Sequence, residues 1–277
     1  LAADEDDGED GGDGDNGEDE DQPVLRWSAA DVLRDKDFAD FTPSELDEAH
    51  QAMAKMRLQP AQQRSRRRTV SRTGDRLDLR RTVRAAMRSG GEPIDVARTR
   101  RGERTRRVVL LLDVSGSMEA YARVLIRFAH AAVVGRGRVE AFALGTRLTR
   151  MTRQLGSHDV DEAVAEAAEE VVDWSGGTRL GEAIGHFNDE WGVRGMSRGS
   201  IVVILSDGWD RGDPAEMAEQ MARLKRTAHR VVWVNPLKAG PGYEPTARGM
   251  AAALPYIDEF LEGHSLRSLE TLADVLA

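Results

Sequence analysis

Four short stretches in the second half of the chain are predominantly apolar: 108–113, 139–144, 201–207 and 231–235. Apolar runs of this length are typical of strands that are buried on both faces of a parallel sheet. Longer stretches with apolar residues at helical spacing separate and follow them: 121–132, 160–172, 180–191, 214–227 and 266–276. This alternation predicts an α/β fold with a doubly wound, mostly parallel, Rossmann-like sheet, to which 148–153 adds an edge strand.

The first hundred residues have a different pattern. Residues 1–22 are Asp, Glu and Gly with almost nothing apolar, so they cannot bury enough surface to offset chain entropy and are predicted to be a disordered acidic tail. Residues 23–106 form a predicted helical and Arg-rich extension. Within it, 23–58 has the capping pattern of a short pair of helices, and 78–88 predicts an amphipathic basic helix between flexible arms. Residues 107–277 form the predicted α/β domain.

Charge is segregated along the chain, whose net charge is −9. Residues 1–25 carry only acidic charges, whereas arginines dominate 64–107. Such asymmetry bears on partners rather than on fold. The chain has no Cys, which excludes disulfides, thiolate zinc sites and Cys nucleophiles and favours a reducing compartment. No apolar run reaches the roughly 18 residues that are needed to span a bilayer.

Small oxygen-bearing side chains follow three of the predicted elements. Asp113, Ser115 and Ser117 come at the end of the first strand, Thr178 precedes a helix, and Asp207 ends a later strand. In a doubly wound fold the loops at the carboxyl ends of the strands converge on one crevice. Hydroxyl and carboxylate oxygens suit Mg²⁺ or Mn²⁺. With only two acids, a bound cation would keep positive charge and an open position for a carboxylate of another molecule.

This set resembles the metal-ion-dependent adhesion site (MIDAS) of von Willebrand factor A (VWA) domains, whose pattern is D-x-S-x-S, then T, then D. The resemblance implies the metal ligands Asp113, Ser115, Ser117, Thr178 and Asp207. Segments 171–178, 206–213, 235–238 and 241–245 further resemble the CoxE-like group of VWA proteins. That likeness covers residues from about 24 to the end. It implies a cytoplasmic accessory protein that works with a MoxR-type AAA+ ATPase to mature or remodel a molybdenum hydroxylase such as carbon monoxide dehydrogenase.

Several residues are candidates for contact with a partner. Trp174 and Trp209 flank two of the ligand loops, where they either pack or form an apolar rim around the metal. Asp210 either supports the site or is solvated. Three arginines of the basic helix are candidates for docking on an acidic protein surface: Arg80, Arg81 and Arg84. Nucleic-acid binding by the Arg-rich segment is an alternative, which is disfavoured because 64–107 has no aromatic residue for base stacking. A third possibility is that the acidic tail folds back on these arginines.

Catalysis is not expected. The serines at 115 and 117 lack the G-x-S-x-G pattern, and no nucleotide-binding G-x-x-x-x-G-K-S/T is present. A metal-dependent phosphotransferase that uses Asp113 as a phosphoryl acceptor is the enzymatic alternative. Such sites commonly need a second carboxylate and a lysine nearby, and the end of the predicted strand 201–207 offers Asp207 and Asp210 but no lysine. The sequence therefore predicts a metal-dependent protein-binding adaptor that is not an enzyme.

Overall fold

A six-stranded sheet forms the centre of the computed structural model, which describes residues 31–56, 61–90, 95–135, 138–157, 159–170 and 178–277. The predicted acidic tail lies outside the described residues, as does Trp174. The strands in chain order are β1 (Gln62–Val70), β2 (Arg76–Leu77), β3 (Arg98–Thr105), β4 (Val108–Asp113), β5 (Val139–Leu144), β6 (Leu148–Arg150), β7 (Ile201–Leu205), β8 (Arg230–Asn235) and β9 (Glu259–Glu262).

The central sheet has the order β6-β5-β4-β7-β8-β9 and is parallel except for β6, which pairs antiparallel with β5. This confirms the predicted doubly wound, mostly parallel sheet. The chain turns from β4 to β5 on one side and returns to place β7 on the other side of β4. The order of the strands therefore reverses beside β4, and it is at such a point that the carboxyl ends of the strands open into a crevice.

Helices cover both faces of this sheet. In chain order they are α1 (Pro43–Lys55), α2 (Leu79–Ala86), α3 (Glu119–Val134), α4 (Val160–Glu170), α5 (Leu180–Phe187), α6 (Pro214–Thr227), α7 (Arg248–Ala253) and α8 (Leu266–Leu276). Alternate residues of β4 point into two separate cores. Leu110 and Leu112 face the core that contains residues of α1, α3 and α8, whereas Leu111 faces the core of α5, α6 and α7.

The helical part of the predicted extension packs into the α/β core. Phe38, Ala49 and Met53 are buried in the same cluster as residues of α3 and α8. Thr42 caps α1 in a capping box with Glu45, as the sequence pattern indicated. The helical part of the extension, which was predicted to lie outside the α/β domain, therefore shares its core, and only the Arg-rich part stands apart from it.

The Arg-rich part forms a small sheet of its own, with the order β1-β3-β2. The basic helix α2 is present and is followed by Gly90, which has a φ of 75°. The arms on either side of it, however, are antiparallel strands, so the prediction of flexible arms was wrong. The apolar face of α2 is not covered by the described residues, since Leu79, Val83 and Met87 are 69%, 56% and 79% exposed.

This small sheet is attached at the amino ends of the central strands. Its base is fixed where the Ala61 N–H donates to the Leu276 carbonyl at 2.8 Å and the Arg106 N–H donates to the Ala61 carbonyl at 3.0 Å. The Arg106 guanidinium donates to the Gly199 carbonyl, just before β7 begins. β3 leads almost directly into the first residue of β4. The carboxyl end of β4, where Asp113 lies, is therefore at the opposite edge of the central sheet.

Two elements of the α/β domain were not predicted: α7 and the edge strand β9. The helix predicted over 180–191 is divided into α5 and a π-helical turn, Asn188–Gly192. None of the described helices combines the length and the apolarity that crossing a membrane would require.

Candidate metal centre

Two of the predicted ligands lie at the ends of neighbouring strands. Asp113 is the last residue of β4, and Asp207 follows β7 by two residues. β4 and β7 are parallel and in register, with Leu112 opposite Leu205. Both carboxylates therefore lie at the same edge of the sheet, at the point where the strand order reverses. Both side chains are buried, at 0% and 5% exposure.

The Asp113 carboxylate is held by donors from two loops. One oxygen accepts the backbone N–H of Ser115 at 2.9 Å, and the other accepts the Ser206 hydroxyl at 2.5 Å. Ser206 is fixed in turn, because its hydroxyl accepts the Gly208 N–H and its carbonyl accepts the Trp233 indole N–H. Ser206 thus positions Asp113, a role that the sequence analysis did not assign to it.

Burial raises the pKa of Asp113 from 3.8 to about 6. The hydrogen bonds from Ser206 and Ser115 lower this pKa, while the charge of Asp207 raises it. The site therefore places two acids close enough to repel each other in a region with little water. A cation between them would remove both the desolvation cost and the repulsion.

The two predicted serine ligands face each other. Their Oγ atoms are 3.1 Å apart, with Ser115 buried and Ser117 exposed. A helix-capping role was the alternative for these serines, but Ser115 makes no side-chain capping bond to the short turn Gly116–Met118 that follows it. Neither hydroxyl is used for capping, so both oxygens remain candidate ligands, with Ser117 on the side of the site that is open to solvent.

Thr178 is buried at 3% exposure, and its hydroxyl has no hydrogen-bond partner among the described residues. A buried hydroxyl without a partner costs about 1–3 kcal/mol, so its presence needs a reason. A metal ligand is such a reason, since a coordinated hydroxyl oxygen is satisfied by the cation. The threonine is held at the site by its backbone, whose carbonyl accepts the Arg211 N–H at 3.4 Å.

Asp210 ties the loop of Thr178 to the loop of Asp207. One of its carboxylate oxygens accepts the Leu180 N–H at 2.9 Å and the Gly212 N–H at 2.8 Å, and the other accepts the Gly181 N–H at 3.3 Å. The side chain thus binds the first turn of α5 from another loop, where negative charge is favoured. Contact with a partner remains a prediction for Asp210, but the structure gives its carboxylate this positioning role.

The loop of Asp207 rests on the end of β8. The Asn235 side-chain amide donates to the Asp207 carbonyl and to the Tyr243 hydroxyl, both at 2.9 Å. Burial and the charge of Asp207 raise the pKa of Tyr243, which places the phenol beside the acid. Asn235 and Tyr243 stood in segments that carry the CoxE-like resemblance, yet nothing in their spacing indicated that they support a ligand loop.

The partner candidates fall on two different faces. Trp209 lies beside the metal centre, and its side chain is 66% exposed, unlike a packing residue. The Trp209 backbone N–H donates to the Asp207 carboxylate at 2.8 Å, so the residue that carries the exposed indole is part of the ligand loop itself. Arg80, Arg81 and Arg84 lie on α2, in the small sheet at the other edge. These arginines therefore do not share a surface with the metal centre.

The five residues suit a hard divalent cation. All their donors are carboxylate or hydroxyl oxygens, and only two of them are acids. The described residues hold no cluster of three or more His, Cys, Asp or Glu that would suit a metal. The unpartnered Thr178 hydroxyl and the raised pKa of Asp113 are the observations that favour a cation here.

The fold, with the D-x-S-x-S, Thr and Asp pattern at the carboxyl ends of its strands, is that of a VWA domain. The model of the family "VWA domain containing CoxE-like protein" matches residues 49–269. The chain belongs to this family. No curated protein matches the chain.

Solved structures with a similar fold include the following two proteins. Proximal thread matrix protein 1 from the mussel byssus is 18% identical, with a TM-score of 0.42 over 62% of this chain and 47% of that one. A von Willebrand factor type A protein from Catenulispora acidiphila is 16% identical, with a TM-score of 0.42 over 65% of this chain and 44% of that one. The mussel protein has also been solved with a zinc-occupied MIDAS motif, at 17% identity, a TM-score of 0.40 and coverage of 62% and 46%. The chain thus spans less than half the length of these proteins.

Proposed function

We propose that this protein is a metal-dependent adaptor, not an enzyme, which binds an acidic side chain of a partner at the metal centre. The ligands are Asp113, Ser115, Ser117, Thr178 and Asp207, and the cation is Mg²⁺ or Mn²⁺. The observation that carries this proposal is the buried hydroxyl of Thr178, which has no hydrogen-bond partner among the described residues, together with the repulsion between the acids Asp113 and Asp207.

The chain's own residues divide the work of such a site. Asp113 and Asp207 supply the negative charge, and the hydroxyls of Ser115, Ser117 and Thr178 supply neutral oxygens. A cation held by this set would offer incompletely neutralised charge and an open coordination position to a carboxylate. Ser117 and the Trp209 indole are exposed at this edge, so that a partner can reach the site and bury an apolar group on the tryptophan.

The family suggests the pathway. Its name refers to CoxE, and CoxE-like proteins are associated with the maturation of carbon monoxide dehydrogenase and similar molybdenum hydroxylases. We propose that the acidic partner is a MoxR-type AAA+ ATPase or the metalloenzyme client, and that the protein works in the cytoplasm. Energy from ATP would then come from the partner, since this chain has no phosphate-binding loop motif.

The surroundings of Asp113 do not favour a phosphotransferase. Both of its oxygens accept hydrogen bonds inside the protein, so neither is exposed for attack on a phosphoryl group. Three of the four lysines are committed elsewhere: Lys36 to Glu45, Lys225 to Asp258 and Lys238 to the Phe260 carbonyl. The fourth ends α1. None stands as a partner to a phosphorylated Asp113.

The proposal is tested by capture of the MoxR-type ATPase from the same organism on the immobilised full chain. We expect capture in Mg²⁺ and at least a ten-fold loss in EDTA. Ser115→Ala and Thr178→Val should give the same loss in Mg²⁺, because each removes one ligand oxygen. The Ser115 backbone N–H that binds Asp113 survives the first change, so the fold should be retained.

Asp213→Asn is the matched control. Asp213 lies near the site but caps α6 through the Ala215 N–H, so its loss should leave capture intact. Capture of the ATPase that is equally strong in EDTA would contradict the metal dependence. Failure of the purified ATPase and of the metalloenzyme client to bind in Mg²⁺ would contradict the assignment of partners.

A further inference from the structure

The small sheet and α2 present a dense positive surface. It consists of Arg64, Arg66, Arg67, Arg68, Arg72, Arg76, Arg80, Arg81, Arg84, Arg88, Arg98, Arg100, Arg101 and Arg104, and we call it the basic surface. All of these side chains except Arg68 belong to exposed residues. Among the described residues, only Arg68 has a carboxylate at ion-pair distance, that of Asp75.

Several arginines elsewhere in the protein differ from those of the basic surface. Arg34, Arg127, Arg150, Arg223 and Arg267 each form an ion pair with a described acidic residue. On the basic surface the charges instead repel one another. Near its base, the pKa of Arg138 is lowered by burial and then by the charges of Arg104 and Arg107. The surface therefore has an excess of positive charge: its fourteen arginines stand against only four described acids of residues 61–105, Asp75, Asp78, Asp95 and Glu103.

A complementary segment exists in the same chain. Residues 4–21 contain twelve Asp and Glu and no basic residue. Their combined charge of −12 exceeds the net charge of the whole chain, which is −9. A contact between the two regions would relieve the repulsion between like charges within each of them. Each exposed ion pair contributes little free energy, but many such pairs can form between the twelve acids and the arginines.

The attachment points of the two regions are close. Arg34 binds Glu270 on α8 at 2.5 Å, and the last turn of α8 holds the base of the small sheet through Leu276 and Ala61. Six residues of helix separate Glu270 from Leu276, which is roughly 9 Å along the axis. The first described residue, Asp31, is in the same helical turn as Arg34.

The acidic segment is long enough to cover the surface. β1 has nine residues and extends roughly 30 Å from the base. Asp31 lies ten positions after Asp21, a span of up to about 35 Å, and the acidic segment itself adds up to about 60 Å. Acidic residues can thus reach both the strands and α2.

We propose that the acidic segment, residues 4–21, docks on the basic surface of the same molecule. It acts there as an internal competitor, so that an acidic polypeptide from another protein must displace it in order to bind. The surface lies at the edge of the central sheet opposite to the metal centre. The contact is therefore independent of the metal and does not rest on the proposed function.

The experiment measures binding of a fluorescent synthetic peptide of residues 1–22 to the full chain by anisotropy. The key variant replaces the twelve acids of residues 4–21 by Asn and Gln, which keeps the length of the segment. A tethered segment has an effective concentration of about 1 mM, so for a peptide Kd near 0.1 mM the natural tail should weaken peptide binding about ten-fold. We expect the neutral-tail variant to bind the peptide that much more tightly than the natural chain does.

Further variants locate the contact. In the neutral-tail background, Arg80→Gln, Arg81→Gln and Arg84→Gln together should reduce peptide binding at least five-fold. Arg123→Gln, Arg147→Gln and Arg153→Gln remove the same charge from exposed positions outside the basic surface and should leave binding within two-fold. Binding should fall steeply between 50 mM and 500 mM NaCl, because salt screens exposed charges.

Three outcomes would overturn the proposal. The first is equal affinity of the natural and neutral-tail chains for the peptide. The second is peptide binding that EDTA abolishes while the substitutions on α2 do not, since the segment would then occupy the metal centre. The third is an equal loss of binding in both sets of arginine variants, which would indicate attraction by net charge without a defined surface.

Discussion

Replacement of Asp113 by Asn should stabilise the metal-free protein. The pKa of Asp113 is raised from 3.8 to about 6, mainly by burial, which corresponds to roughly 3 kcal/mol of cost for keeping the carboxylate ionised at pH 8. Asn removes this cost and keeps an oxygen for the Ser115 N–H, while its NH₂ group can donate to the Ser206 hydroxyl. Allowing for imperfect geometry, we expect a gain of about 1–3 kcal/mol in the free energy of unfolding.

The gain should depend on pH in a defined direction. An acid whose pKa is higher in the folded than in the unfolded state takes up its proton on folding, so its cost is present above the folded value and vanishes as the pH falls toward the unfolded value. The advantage of Asp113→Asn should thus be complete near pH 8 and disappear between about pH 6 and pH 4. Urea unfolding in EDTA at pH 8 and at pH 5 measures the difference in the free energy of unfolding between Asp113→Asn and the natural protein at each pH.

Metal should reverse the order of the two proteins. A ligand that binds only the folded state adds about 4.1 kcal/mol at a thousand times its Kd, which exceeds the gain expected from Asp113→Asn. Mg²⁺ should therefore stabilise the natural protein and leave Asp113→Asn unchanged, with Asp213→Asn as a control that still responds. The reasoning is refuted if Asp113→Asn is less stable than the natural protein in EDTA at pH 8, or if the difference is the same at pH 5.

Three other substitutions test separate parts of the structure. Thr178→Val should leave the metal-free stability unchanged or raise it by up to about 1 kcal/mol, because the hydroxyl has no partner in the described part of the chain, and it should weaken metal binding. A drop of more than about 1 kcal/mol in urea unfolding would contradict this. Asp210→Ala should cost about 1–2 kcal/mol by freeing the first turn of α5, and calorimetry should also show weaker metal binding although Asp210 is not a ligand. Burial and the neighbouring His130 lower the pKa of His50, so the unfolded state takes up the proton more readily and stability falls as the pH drops below about 6.5. His50→Gln should reduce that loss between pH 7 and pH 5, and an unchanged pH profile would contradict the assignment.

The central strands could be predicted because their sequence has a single explanation. β4 and β7 are apolar on both faces, which suits the middle of a parallel sheet. β1 has the sequence QQRSRRRTV, with no apolar alternation. Its strand conformation comes from antiparallel backbone pairing with β3, which leaves no periodic signal in the side chains. β9, with the sequence EFLE, is short and lies at an edge of the sheet, so its sequence likewise gave no pattern that predicts a strand.

The ligands of the candidate site could be predicted because each follows a recognisable element in the right order. Their supports could not. Ser206 binds Asp113 across 93 positions in sequence, and Asp210 reaches back 30 positions to α5. Such contacts depend on how the loops fold over the sheet edge, which single-sequence patterns do not encode. The position of the arginines at the opposite edge was hidden for the same reason, because it follows from the pairing of β1 with β3.

Titration of the protein with Mn²⁺, followed by the electron paramagnetic resonance signal of the free ion, tests the central claim most directly. The account predicts one site per chain that Mg²⁺ displaces, retained in Asp213→Asn and weakened at least ten-fold in Ser115→Ala and Asp207→Asn. If the natural protein takes up no Mn²⁺, or if these two variants bind it as tightly as the natural protein does, the five residues do not form a metal site.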